Sequence, residues 1–371
     1  MTPTFMAPPF ATDRIQAAEV VLPCTDLEST LGFFTDTLGF RVAAVFPADA
    51  PEVAVVAGHG LRLRLDRGAQ GTPGSLRLAC HEPDAVAGGI RRLIAPNGTV
   101  IDIVDADPPL VIPPLVSHLV VTRRAADATW HRGRAGLTYR DLLPDRLGGR
   151  FIASHIRIEQ GGPVPDYVHF HKIRFQMIYV TRGWVRVVYE DQGAPFVMQA
   201  GDCVLQPPRI RHRVLESSPS LEVVEVACPA WHETFADPAL TLPNARLRPH
   251  RDFSGQRFVH HVAARASWQA TGDFETRDIG LAAATQGLAA ARVVRARSTS
   301  PKRMAARHDA EFDFLFVLSG ALTLACEGTH RLDAGDCCSI PAGRDYAIEA
   351  CTPDLQLLEV MLPTPAASAP A

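Results

Sequence analysis

The chain has 371 residues and a mass of 40.2 kDa, which at about 150 residues per domain asks for two or three domains. Hydrophobic residues make up 47% and charged residues 21%, the balance of a folded chain with ample material for buried cores. Lys+Arg 37 against Asp+Glu 40 leaves a net charge of −3, which gives no argument for nucleic-acid or anionic-membrane binding.

The only lysines are Lys172 and Lys302, so the positive charge is nearly all arginine, a bias of base composition more than of function. No apolar run approaches the ~18 residues of a membrane helix. Met1 to Thr12 is Pro-rich, without the basic-then-apolar layout of a signal peptide. The eight cysteines form no Cys-x-x-Cys pair and read as reduced and mostly buried. A cytoplasmic chain without disulfides is expected.

In chain order, Ala18–Cys24 is a short apolar strand. Thr25-Asp26-Leu27-Glu28 follows with capping-box spacing, Thr25 being the expected cap. Leu27, Leu31, Phe34 and Leu38 recur at helical spacing, and Gly39 is a natural stop. Arg41–Phe46, Glu52–Ala57 and Leu61–Leu65 are strand candidates. A shortened second copy runs from Ser75 through a helix at 84–94 to the strand Thr99–Val104. The segments Asp26–Phe34, Thr37-Leu38-Gly39-Phe40 and Asn97–Asp102 resemble the vicinal oxygen chelate family, which includes glyoxalases. That resemblance implies a small α+β domain over residues 1–112 and places Glu19 and Asp102 where the family often has metal ligands. The second half is too short for a full repeat, and no histidine falls at the expected places. A structural or dimerising module is the alternative.

Residues Asp107–Pro114 carry four prolines and open an expected linker, 113–135. Beyond it the chain repeats itself. An offset of 137 carries Arg140-Asp141 to Arg277-Asp278, His171 to His308, Gln176 to Asp313 and Gly183 to Gly320. An offset of 134 then carries Gly201-Asp202-Cys203 to Gly335-Asp336-Cys337 and Pro207 to Pro341. Each copy is a string of short β-rich runs broken by Gly and Pro, which argues for a small barrel or sandwich.

In the first copy, residues Gly162 to His171 lead to Gln176 and Gly183. Gly201, Pro207-Pro208-Arg209 and His212 follow. The spacing resembles the two signature motifs of the cupin family. The resemblance implies a mainly β fold of two tandem jelly-roll barrels, 136–240 and 241–371, behind the chelate-like domain. It also implies a metal on His169, His171 and His212. Residues two apart on a strand point to one face, so His169 and His171 project together, and His212 comes from another strand. Gln176 stands where many cupins have Glu, and either binds the metal weakly or hydrogen-bonds to a ligand or bound water. Arg209 replaces the usual glycine of the second motif and puts that turn in question.

In the second copy the offsets place Ala306, His308, Asp313 and Tyr346 at the four positions, so His308 and Asp313 are the only remaining candidates there. His155, Arg157 and Glu159 alternate with isoleucines, and that polar face either receives an anionic substrate or is solvated. Arg174 shares the parity of Gln176 and is a candidate carboxylate partner. His260-His261 would point to opposite faces of a strand, in surface or packing roles.

The expected cofactor is one divalent transition metal, Fe(II) first, with Zn, Mn or Ni as alternatives. The layout is similar to that of gentisate-type ring-cleaving dioxygenases, which implies a mononuclear non-heme Fe(II) dioxygenase acting on a small aromatic or enol-type substrate. A Zn or Mn isomerase, lyase or hydrolase and a non-catalytic small-molecule binding or sensor protein stand as alternatives. A homodimer is expected by the same resemblance.

Overall fold

The computed structural model describes residues 12–126, 129–297 and 304–363. The chain divides into two compact units, Met1–Pro109 and Leu110–Ala371.

In the first unit, four strands lie in the order Val20–Pro23, Leu61–Asp66, Val53–Gly58, Arg41–Phe46, the first pair parallel. A second sheet has the order Ser75–Cys80, Val100–Asp105, Arg92–Ile94, its first pair again parallel. The two copies thus share an order, and the second lacks one strand. The helix Leu27–Gly32 continues as a π-helical turn, Phe33–Thr37. Its cap is Asp26, whose carboxylate accepts from the Ser29 N–H at 3.1 Å. Thr25 stands one residue too far from the first turn to cap it. The expected helix at 84–94 spans only Pro83–Ala87, because Gly88 and Gly89 both turn to positive φ and end it. Phe34, Leu63, Leu65 and Ile101 fill the core of this unit.

The second unit contains two copies of one arrangement. In the first, a seven-stranded sheet runs Val259–His261, Cys203–Leu205, Phe175–Arg182, Leu221–Cys228, Ile152–Ile158, Thr138–Asp141, His131–Arg132. In the second, the corresponding order is Val120–Thr122, Cys337–Ser339, Phe312–Ser319, Gln356–Leu362, Ala290–Ala296, Phe274–Asp278, Gln269–Thr271. The repeat extends to irregularities: register breaks at Val180/Arg182 and at Val317/Ser319, positions 137 apart. It also explains one pair of glycines. A Cβ on Gly183 would lie 2.3 Å from Ser218 Oγ, and one on Gly320 would lie 2.5 Å from Thr352 Oγ1.

Each large sheet borrows its first strand from the segment preceding the other copy. Val120–Thr122 pairs with Cys337–Ser339, and Val259–His261 pairs with Cys203–Leu205. Residues 113–135, expected as linker, therefore contain two strands, Val120–Thr122 and His131–Arg132. The repeated Gly-Asp-Cys clamps these exchanged ends. Asp202 accepts from the Ala263 N–H at 2.8 Å, and Asp336 accepts from the Arg124 N–H at 2.7 Å.

The two large sheets share one core, where Phe151 stacks on Phe312 at 4.2 Å and Phe175, Met177 and Tyr179 face the other copy. Strand alternation then turns Gln176, Ile178 and Val180 the opposite way, toward each copy's smaller sheet. A buried ionic cluster also joins the copies. Glu311 receives Arg174 Nη1 at 3.0 Å on both oxygens and pairs as well with Arg150. Glu311→Ala would leave two mostly buried guanidiniums without their carboxylate. Chemical denaturation is expected to show a loss of roughly 2–3 kcal/mol, somewhat below a fully buried pair because both arginines keep some solvent. Unchanged stability would show that the cluster does not hold the copies together.

Candidate metal centre

The smaller sheet of the first copy runs Phe196–Gln199, Trp184–Tyr189, His212–Ser217, His169–His171, Thr234–Ala236. His169 lies directly across from His212, and His171 is two residues along on the same face. One ring nitrogen from each lies within 4.8 Å of the others, the single cluster of three metal-capable side chains found among the described residues. Their exposures are 1%, 9% and 5% for His169, His171 and His212.

Backbone carbonyls fix the tautomers. The Nδ1 atoms of His169, His171 and His212 lie 2.8, 3.3 and 3.0 Å from the carbonyl oxygens of Tyr167, Glu233 and Ile210. A carbonyl only accepts, so each Nδ1 carries the proton and each Nε2 keeps its lone pair. Burial keeps the rings neutral. It pushes His171 down to about 3, helped by His232 and His169, and pushes His212 well below its ordinary value. His169 is also lowered by burial, with Asp166 opposing the shift. Three uncharged imidazoles turned to one point form a donor set suited to a divalent transition metal.

Arg134 stands beside the cluster. Its guanidinium binds Asp166 and places Nη2 2.9 Å from His169 Nε2. Arg209 takes φ +63°, so the turn keeps its left-handed geometry without a glycine, and its N–H reaches the His171 carbonyl at 2.9 Å.

The histidines line a cavity of about 120 Å³ whose walls include Ile156, Ile158, Ile178, Val187, Val223 and Met198. That is well under the ~300–1,000 Å³ of ordinary ligand pockets, so only a small ligand fits. Gln176 lines it and donates from Nε2 to Glu225 at 2.5 Å. Gln206 also lines it, bonded to the Tyr189 hydroxyl at 2.8 Å, whereas Cys203 is buried in the core between the copies.

Arg157 lies at the cavity, over the Trp130 ring at 4.4 Å. His155 does not. Ile156 and Ile158 take the cavity face of its strand; Arg157 reaches the cavity from the opposite parity near the strand's end, whereas His155, further inside the strand, points to the other copy. There it pairs with Glu222 at 2.8 Å and packs against Phe316. Arg174 precedes the first strand residue, Phe175, so strand parity does not carry to it, and it binds Glu311 instead. His260 stacks on Phe196 at 4.1 Å.

In the second copy Ala306 faces Tyr346 as His169 faces His212. His308 Nε2 lies 3.4 Å from Asp313 Oδ2, and no third metal-capable side chain joins them among the described residues. In the first unit, Glu19 pairs with Arg62 at 2.9 Å and Asp102 with Arg92 at 2.7 Å, and neither belongs to a metal-capable cluster among the described residues. Sequence reasoning missed Arg134, Asp166 and Glu225, and also Tyr139, which lines the same cavity. Asp166, three residues before His169, offered a local signal, but Glu225, 49 residues from Gln176, offered none.

No protein-family model matches the sequence, and no curated protein matches it. Among solved structures, the Lactobacillus farciminis oxalate decarboxylase, a formate complex, is similar at TM-score 0.50 and 15% identity. The match covers 68% of this chain and 89% of that one. A single-substitution variant of the Bacillus subtilis oxalate decarboxylase matches at TM-score 0.50 and 14% identity over 76% and 81% of the two chains. The salicylate 1,2-dioxygenase of Pseudaminobacter salicylatoxidans matches at 0.50 and 17% over 68% and 86%. No helix among the described residues is long and apolar enough to cross a membrane. The chain carries a mainly β, cupin-like fold, and at such identity the likeness extends to the fold alone.

Proposed function

We propose that the second unit is a pair of cupin jelly-roll barrels and that the first barrel holds one divalent metal on His169, His171 and His212, as a metal-dependent enzyme. The observation that carries this is the convergence of three buried, neutral imidazoles whose Nδ1 protons are all committed to backbone carbonyls. A metal bound there supplies a Lewis acid with open positions, and iron adds redox chemistry with oxygen.

The chain's own groups do the rest. The carbonyls of Tyr167, Glu233 and Ile210 hold the three rings in orientation. Apolar side chains make up most of the cavity wall around them. Arg134 must release His169 Nε2 for all three nitrogens to serve a metal, and its other nitrogen keeps Asp166. Gln176 gives its Nε2 to Glu225, which leaves its Oε1 for a bound ligand or for the metal.

Within this class the first reading is a mononuclear Fe(II) dioxygenase for a small aromatic or enol-type molecule, supported by the neutral ligand set and the small apolar cavity. A second reading, a Zn or Mn enzyme that moves protons, is favoured by the Gln176–Glu225 pair in the cavity wall. Anaerobic purification, elemental analysis and oxygen uptake with small phenolic acids and enols distinguish them. The dioxygenase reading expects bound iron and substrate-dependent oxygen consumption. Tight zinc or manganese without iron leaves the second reading in place.

A further inference from the structure

Three charged side chains line the cavity beside the histidines, and two are neutralised within the protein. Arg134 is held by Asp166, and Arg157 pairs with Glu159 at 2.7 Å. The third, Glu225, has no ion-pair partner among the described residues. It stands on Leu221–Cys228, the strand beside that of Gln176.

Its Oε1 accepts from Gln176 Nε2, and its Oε2 receives no donor among the described residues. That contact fixes the amide of Gln176. Flipped, it would set its oxygen against a carboxylate oxygen, two acceptors with no proton between them. Gln176 Oε1 is therefore left without a donor on a side chain only 2% exposed. This patch of wall offers two acceptors to whatever fills the cavity; of the two, Gln176 Oε1 is the buried one, and there the lack of a donor is costly. Glu225 also lines an adjoining cavity of about 250 Å³, which includes Ser154, His232 and Thr234, so it borders a polar space as well.

We propose that Gln176 and Glu225 form a specificity subsite, an acceptor pair that selects a small oxygen chelator carrying an adjacent hydroxyl or amino donor. The chelating half of that ligand rests on the metal reading above, whereas the donor half follows from the two acceptors. A simple anion without a donor gains nothing here and meets the Glu225 charge.

The test compares lactate with propionate, which differ by one hydroxyl, by calorimetric titration of the full chain. The wild-type protein is expected to prefer lactate by roughly ten- to a hundredfold, the range of a hydrogen bond to a charged acceptor. In Glu225→Gln, Gln176 Nε2 still needs an acceptor, so the new amide turns its oxygen to Gln176 and its NH2 into the cavity. The preference is then lost or reversed while metal content is unchanged. Glu225→Ala loses it without reversal. If Glu225→Gln does not fold, Gln176→Leu removes one acceptor and lowers the preference in the same assay. A Glu225→Gln protein that keeps the wild-type preference overturns the proposal. One that loses its metal also overturns it, since Glu225 would then belong to the metal shell. A wild-type protein that takes no metal sinks the metal reading instead, and the lactate–propionate comparison still reports on Glu225 in the metal-free chain.

Discussion

Replacing His171 and His212 together by alanine is expected to leave the purified protein with background metal, an affinity loss beyond about 100-fold. Changing a hydrogen-bond partner of a metal ligand alone already costs on the order of 10–100-fold, so removing two of three ligands must exceed it. The fold should survive, because the lost rings are neutral and no buried charge is left unpaired. Elemental analysis reads the metal, and thermal unfolding confirms that the variant is folded. His308→Ala serves as the control and should leave metal content unchanged, since among the described residues only Asp313 accompanies His308. A folded double variant that still carries metal would sink the assignment.

The second large effect lies in the other copy. Asp313 is fully buried, and burial pushes its carboxyl up to about 8, with Glu359 adding to the shift and Arg292 and Tyr346 opposing it. Near pH 4 and below, both folded and unfolded states are protonated there, and the group costs nothing. Between about 4 and 8 only the unfolded state ionises, so the cost of folding rises with pH at about 1.4 kcal/mol per unit. Above the folded pKa both states are ionised and the cost levels off. Asp313→Asn cannot ionise and keeps an oxygen for the Tyr346 hydroxyl, 3.5 Å away. It is expected to match the wild type near pH 4 and to exceed it by up to roughly 4 kcal/mol at pH 7. Chemical denaturation across that range checks the slope. A difference independent of pH would assign the effect to packing and not to ionisation. A carboxyl held neutral is also a poor metal ligand, which agrees with the incomplete donor set of this copy.

Much of the site was written in local spacing. His-x-His on a strand places two rings on one face whatever the rest of the fold, and His212 fell within the same repeat frame. The failures share one cause. His155 and Arg174 were placed by alternation alone, which says that two faces exist but not which one meets the cavity. Ile156 and Ile158 took that face, and the strand holding Gln176 began one residue after Arg174. Glu225 and Arg134 come to the histidines from distant chain positions, and no one-dimensional pattern pairs them.

By itself the sequence determined the repeat, its offsets of 137 and 134, and the stripping of two histidine positions in the second copy. Those are properties of spacing, and short strands preserve spacing. Only the tertiary structure decided that Val120–Thr122 and Val259–His261 exchange between the copies, with Asp202 and Asp336 clamping their ends. It alone showed that the charge left unpaired beside the histidines, among the described residues, is a carboxylate, since register across a sheet joins residues whose separation along the chain carries no signal.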